Sequence, residues 1–290
     1  MLRRIWEEVP CDAGPVAAVV EALGIPPVIA RILCQRGFST PEDAGRFLEP
    51  SLAQLRDPYT LVDMRVAVDR LLAAVARHEP IAIHGDYDVD GMTATVILRR
   101  ALEMLGAEVT HFVPDRLKDG YGLQPATIER LHAGGARVIV SVDCGIRAAE
   151  AAQRARDLGI DLIITDHHEP DATLPSALAV INPKRPDCAY PEKMLAGAGV
   201  ALKLVQALLT SGGRGSEWLP AFVKMAAIGT LADVVPLTGE NRVIASCGLQ
   251  GLSSGPHAPG LEALLAESGL VGRALDAFDV GFRLAPRLSA

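Results

Sequence analysis

Aromatic side chains are scarce in this sequence. Phe, Trp and Tyr make up 4% of its 290 residues, so Ala, Val, Leu and Ile must carry the burial. That palette suits helices packed on a buried parallel sheet. The five cysteines (Cys11, Cys34, Cys144, Cys188, Cys247) include no C-x-x-C pair, which excludes a disulfide framework and a zinc knuckle. No apolar run reaches the ~18 residues that a bilayer span requires. Met1-Leu2-Arg3-Arg4 is followed by Glu7 and Glu8 instead of an apolar signal-peptide region, so the cytoplasm is the expected compartment. Basic residues are also short: 28 Lys and Arg stand against 35 Asp and Glu, a formal charge of −7. This argues against a broad basic face for nucleic acid. It argues less against a metal enzyme, because an Asp-rich site is negative until cations fill it.

What is present falls into three stretches. Residues 1–60 are irregular and Pro-rich with short helical pieces, among them a helix start at Thr40-Pro41-Glu42-Asp43. Residues 61–235 become regular. Val68, Leu71, Leu72 and Val75 mark one apolar helix face. Strands are then expected at 80–85, 107–113, 136–143, 160–168 and 177–183, with helices at 93–105, 125–133 and 147–158. This rhythm predicts an α/β fold: a parallel sheet flanked by helices on both faces. From Gly197 through 236–290 the pattern is mostly helical, broken by GGRGS at 212–216. Gly197-Ala198-Gly199 opens like a dinucleotide fingerprint. Leu202 occupies the place of its third glycine, however, and close helix packing explains the pair better.

Polar residues collect where the strands end, which is where ligands bind in open parallel sheets. The first strand runs into His84-Gly85-Asp86-Tyr87-Asp88-Val89-Asp90-Gly91, the third into Asp143-Cys144-Gly145, and the fourth into Asp166-His167-His168. Singly, each has an ordinary reading: Asp143 as a turn former or cap, a lone His as a structural residue. Three acids in five residues repel one another unless cations or hydrogen bonds compensate. Glycines at 85 and 91 would permit tight turns around them. Mixed carboxylate and imidazole suits Mn²⁺ or a similar ion, and several acids sharing a site point to two ions.

HGDYDVDGMTA, PDRLKDGYGL, VSVDCGI, ITDHHEP and LADVVPLTGENR follow one another as in the DHH phosphoesterase superfamily. The chain resembles this superfamily from about residue 35 to its end, in the wording of the RecJ-like single-strand DNA exonuclease branch. The resemblance implies metal ligands at His84, Asp88, Asp90, Asp143 (bridging two ions), His167 and Asp233. Asp86 is implied as a further ligand or as support for one. It also implies that Asp166 orients a neighbouring histidine and that His168 faces the scissile phosphate. Two Mn²⁺ or Mg²⁺ ions about 3.5–4 Å apart would activate a water for in-line attack. Ser141 has no evident base, which disfavours a covalent serine mechanism.

For the substrate, Arg116, Lys118 and Tyr121 share one loop. Arg is a natural phosphate fork, and a tyrosine between glycines can stack a base; the alternative is a solvated loop with a tyrosine lid. Asn241-Arg242 is expected to begin a helix that positions Asp233. Arg242, Arg283 and Arg287 would line a DNA path or serve as surface charge. The resemblance further implies 5′-to-3′ hydrolysis of single-stranded DNA in repair and recombination, with a single-strand-binding protein and a recombination helicase as partners. The competing readings are a DHH enzyme for short oligonucleotides or small nucleotides, and a non-catalytic replication scaffold, which the intact acidic cluster disfavours. LAPRLSA would lead into a connecting helix and a further DHHA1 domain. This chain should then hold metal but grip long strands weakly.

Overall fold

The structure, a computed structural model, describes residues 9–289; the Met1–Arg4 and Glu7-Glu8 start lies outside them. The chain divides into two compact units, 1–54 and 55–290. In the first, helices α1 (Ala13–Leu23), α2 (Pro27–Gln35) and α3 (Pro41–Leu48) enclose Val19, Ala30, Leu33 and Ala44. Thr40 caps α3 as its sequence predicts, its hydroxyl accepting the Asp43 N–H at 3.1 Å.

The second unit is built on five parallel strands: β1 (Ile81–His84), β2 (Val109–Phe112), β3 (Val138–Val142), β4 (Asp161–Thr165) and β5 (Ala179–Ile181). Their order is β2-β1-β3-β4-β5, and every pairing is parallel. The expected α/β class is therefore observed. β1 and β3 are buried along their whole length, as a sheet covered on both faces requires. On one face α6 (Pro125–Ala133) and α7 (Ala149–Asp157) pack through Ile128, Ala151 and Ala155 onto Ala82, Ile139 and Ile164. Helices α4 (Met64–Ala76), α5 (Val89–Met104) and α8 (Gly197–Ser211) contact the same sheet. The helical remainder continues through α9 (Leu219–Ala232), α10 (Gly239–Ser254) and α11 (Pro259–Glu267).

Three local expectations are corrected. α5 begins at Val89, four residues before the expected Thr93, because Asp88 is its N-cap and accepts the Gly91 N–H at 2.9 Å. The acidic run thus bends from a loop into a helix. Gly85 and Gly91 are not left-handed turn residues; they are needed for close approach. A Cβ on Gly85 would lie 2.1 Å from Thr95 Oγ1, and one on Gly91 2.6 Å from the Asp86 side chain. On α4 the buried stripe is Met64, Ala67, Val68, Leu71 and Ala74, with Leu72 and Val75 only half-buried at its edge.

α8 is buried on nearly every side and includes Lys203, which is fully enclosed. Its ammonium donates to Glu240 Oε1 at 2.9 Å and to the Arg56 carbonyl, while Tyr190 donates to the other Glu240 oxygen. A buried charge pair of this kind persists only when its remaining hydrogen bonds are made. Here they fasten the start of α10 to α8.

Candidate metal centre

Strand order reverses between β1 and β3, where a parallel sheet opens its ligand crevice. The acidic segment after β1 and Asp143 after β3 flank that point. Asp143 is not the cap its isolated sequence allows. Its backbone has φ 61°, its side chain is 1% exposed, and its N–H donates to the Thr165 carbonyl at 2.9 Å. The turn is held from below by the Ser141 hydroxyl, which donates to the Cys144 carbonyl at 2.9 Å. That bond gives the Ser141 hydroxyl a structural task. Val234, directly after Asp233, also has positive φ (59°). Strained backbone beside two of the expected ligands is a pattern found at functional sites.

The side chains converge. His167 Nε2 lies 3.1 Å from Asp143 Oδ1, 3.8 Å from Asp233 Oδ2 and 4.0 Å from Asp90 Oδ2. The approach to Asp143 lacks hydrogen-bond geometry, so Asp143 Oδ1 is buried with no partner among the described residues. Two sets of donor atoms lie within 4.8 Å of one another: Asp143, His167 and His168; and Asp90, His167 and Asp233. Both are mixed carboxylate–imidazole sets that share His167, a composition suited to a divalent transition metal or Mg²⁺.

The electrostatics agree. Burial, reinforced by the Asp233 charge, pushes Asp90 up to about 8. Burial and the Asp90 charge push Asp143 well above the usual carboxylate range, and burial raises Asp233 to about 6. Burial and the neighbouring His168 lower His167 to about 4, leaving it a neutral lone-pair donor at neutral pH. Crowded buried acids with raised pKa values need a cation to ionise together.

Asp166 has a different task. Its Oδ1 accepts from His167 N at 2.7 Å, His168 N at 3.0 Å and His168 Nδ1 at 2.8 Å; its Oδ2 accepts from Ile146 N at 2.9 Å. Burial alone would raise this carboxyl, but the His168 ring and these amides hold it below the usual range. The same bond raises His168 and leaves Nε2 as the nitrogen it can offer.

His84, fully buried, stacks on Phe112 at 5.7 Å, and neither ring nitrogen has a partner among the described residues. It stands outside both donor sets. Asp88 is spent partly on capping α5 but lines, with Asp90 and Asp233, an open cavity of about 340 Å³. Asp86 is buried, receives the Tyr87 N–H at 2.6 Å, and also stands outside the two sets.

Of the substrate candidates, Arg116 sits 5.3 Å over the Tyr87 ring, and exposed Tyr121 meets the same ring edge-on at 6.1 Å. Tyr121 and His168 both border a second hollow of about 170 Å³. Lys118 pairs with Asp115 at 3.2 Å. Arg242 is half-buried at the start of α10. Arg287 donates to the Arg283 carbonyl, beside Ala285, Pro286 and Ser289 of the Asp88 cavity wall.

Sequence reasoning missed Gly197 and Ala198. Their amides donate to Asp90 Oδ2 at 2.6 Å and Oδ1 at 2.9 Å. The available sign was a Gly-Ala-Gly opening a helix, since helix N-termini hold anions. Asn241 is expected from the sequence to begin a helix and position Asp233; it lies in the first turn of α10, which begins at Gly239. Its amide donates to the Met194 and Pro236 carbonyls and accepts the Ala196 N–H at 3.4 Å, tying the Asp233 loop to the approach to α8.

The model of the DHH family, N-terminal domain, matches residues 80–230, a span that holds all these donors except Asp233. The chain is 42% identical over 285 residues to the single-stranded-DNA-specific exonuclease RecJ of Bacillus subtilis (strain 168), covering 98% of this chain and 35% of that protein. Against the RecJ of Escherichia coli (strain K12) it is 39% identical over 277 residues, covering 92% and 47%. Among solved structures, RecJ from Thermus thermophilus in complex with Mn²⁺ superposes with a TM-score of 0.78 at 34% identity, covering 95% of this chain and 38% of that one. An exonuclease RecJ bound to manganese gives 0.72 at 37% identity, covering 81% and 58%. The chain therefore spans less than half the length of these curated relatives. A family match over more than half of its residues, centred on the sheet edge where the acids meet, makes this chain a member of the DHH family.

Proposed function

We propose that this chain is the metal-binding catalytic part of a single-stranded-DNA exonuclease that hydrolyses phosphodiester bonds from the 5′ end. The observation that carries the reading is the convergence of Asp90, Asp143 and Asp233 on His167, with a buried Asp143 oxygen that has no partner among the described residues. These four residues would hold the cations, Mn²⁺ or Mg²⁺, and Asp88 lines the adjoining cavity. His84 and Asp86 would support the centre from the end of β1. Bound divalent ions supply charge neutralisation at the phosphoryl oxygens and a water of lowered pKa.

The chain's own residues do the rest. Asp166 fixes the His168 ring through Nδ1 and favours its protonated form, so His168 presents a donor to an oxygen of the scissile phosphate. Arg116 and Tyr121, gathered around Tyr87, would receive a phosphate and a base beside His168, while Lys118, Arg242 and Arg287 would add cationic contacts further out. The relatives' names support single-stranded DNA as the substrate; a role in DNA repair and recombination, in the cytoplasm, beside a single-strand-binding protein and a helicase would follow from the family resemblance. Among the described residues no helix is long and apolar enough to cross a membrane.

The test is Mn²⁺-dependent digestion of end-labelled single strands, read for polarity, beside a dinucleotide. Release of nucleotides from the 5′ end of the long strand supports the reading. Hydrolysis of the dinucleotide alone would return the chain to the small-substrate branch.

A further inference from the structure

Gly197 stands at the first position of α8, a fifteen-residue helix whose free N-terminal amides favour negative charge. Here the negative charge belongs to the protein. The Gly197 and Ala198 amides bind one oxygen each of Asp90, a carboxylate 1% exposed. The α-carbon of Gly197 faces another acid: a Cβ built there would lie 2.2 Å from Asp143 Oδ1 and 2.6 Å from its carboxyl carbon. Asp143 Oδ1 is the buried oxygen with no partner among the described residues, so a side chain at 197 would push the unpaired oxygen itself. From the other side, a Cβ on Gly229 of α9 would come within 2.6 Å of Asp90 Oδ1. Asp90, on α5, is thus enclosed by α8 and α9, and α9 approaches it at a spacing that only glycine permits at position 229.

Gly199, two residues on, has a different environment. A Cβ there would meet Leu195 Cδ2 at 3.2 Å and Ile244 Cδ1 at 3.7 Å, all apolar. Helix packing explains Gly199; it does not explain Gly197.

We propose that Gly197 is a positioning residue of the cation centre: its amide, with that of Ala198, fixes Asp90, and its bare α-carbon leaves the space that Asp143 occupies. This rests on the reading of the centre as a divalent-cation site. Supporting partners of metal ligands are worth about ten- to a hundred-fold in metal affinity, and Gly197 supports two ligands at once without contributing a side chain.

The experiment titrates the metal-free chain with MnCl₂ by calorimetry and follows its melting by circular dichroism. The unaltered chain is compared with Gly197→Ala, Gly199→Ala and Ala198→Pro. Proline is tolerated in the first turn of a helix but removes the N–H that binds Asp90 Oδ1. Gly197→Ala is expected to weaken Mn²⁺ binding by about ten- to a hundred-fold, Ala198→Pro to weaken it in the same direction, and Gly199→Ala to leave it unchanged. Should Gly197→Ala fail to fold, Ala198→Pro carries the test. Unaltered Mn²⁺ affinity in Gly197→Ala and Ala198→Pro would overturn the proposal. So would an equal loss in Gly199→Ala, which would make the effect one of helix packing. If the unaltered chain binds no Mn²⁺, the cation reading itself fails, and that result is distinct from any difference among the variants.

Discussion

Two aspartates end neighbouring strands of one sheet, and the fold treats them in opposite ways. Asp143 after β3 and Asp166 after β4 are each 1% exposed. Asp166 receives four hydrogen bonds and is held below the usual carboxylate range. Asp143 keeps one oxygen bare, sits in left-handed backbone and is pushed well above that range by burial and by Asp90. The first is a finished structural element that shapes a loop and aims a histidine. The second is incomplete until something positive arrives. Equal burial therefore says little about a carboxylate's role; the number of donors around it says much more.

Removing the incomplete acid should have the largest effect. Asp143→Asn keeps the shape but removes the negative charge and replaces one oxygen with an NH₂ group, and it should lose Mn²⁺ binding and hydrolysis together. The loss should exceed about a hundred-fold, the upper end for a mere supporting partner. Calorimetry and strand digestion in metal-defined buffer measure it, and full activity there would contradict the two-ion reading.

Asp166→Asn should show the converse pattern. Hydrogen bonds to a charged acceptor are worth about 1.5–3 kcal/mol each, so its stability should drop by roughly 2–4 kcal/mol in a denaturant titration. The His168 titration, followed by nuclear magnetic resonance, should move to lower pH once the carboxylate is gone, because Asp166 is what raises it. A variant as stable as the parent would show that the four bonds are dispensable.

The metal-free chain offers a third comparison, in pH. Asp90 rises from 3.8 to about 8, and Asp143 shifts the same way. A raised folded-state pKa gives stability that is fully present below the unfolded value and lost as pH climbs through the folded one. Between pH 5 and 8.5 the metal-free Tm should therefore fall by at least about 2–4 °C, the equivalent of ~1 kcal/mol in a domain of this size. Saturating Mn²⁺ should flatten or reverse that slope. A flat metal-free profile would mean the acids are less confined than the geometry implies.

The smallest change lies outside both aspartates. Arg116→Ala should leave Mn²⁺ affinity intact while weakening strand binding, and should reduce the salt slope by about one. Unchanged strand affinity would return Arg116 to the solvated surface.

Much of this protein was legible without coordinates, and the reason is periodicity. Short apolar runs, the first four separated by amphipathic segments, are enough to specify a parallel sheet, and Pro125–Ala133 emerges with the boundaries its pattern predicts. The acids were legible because they fall at strand ends, where side chains leave the core. The sequence was less informative where one backbone group serves a distant one. It marks Asp88 as an acid after a strand, not as the cap that pulls α5 forward by four residues. It marks Gly197 as a small residue in a helix, not as the partner of an acid 107 positions earlier.

By itself, then, the sequence determined the layer architecture, the list of charged groups and the edge to which they are delivered. Those follow from local pattern and from the rule that parallel strands present their carboxyl ends together. Only the tertiary structure decided how the charges differ. Whether an aspartate is spent or bare depends on which donors the folded backbone turns toward it, from its own neighbours or from elsewhere in the chain. For Asp90 those amides come from α8, for Asp166 one comes from the turn before α7, and beside Asp143 stands Gly197, whose bare α-carbon offers its oxygen no bond.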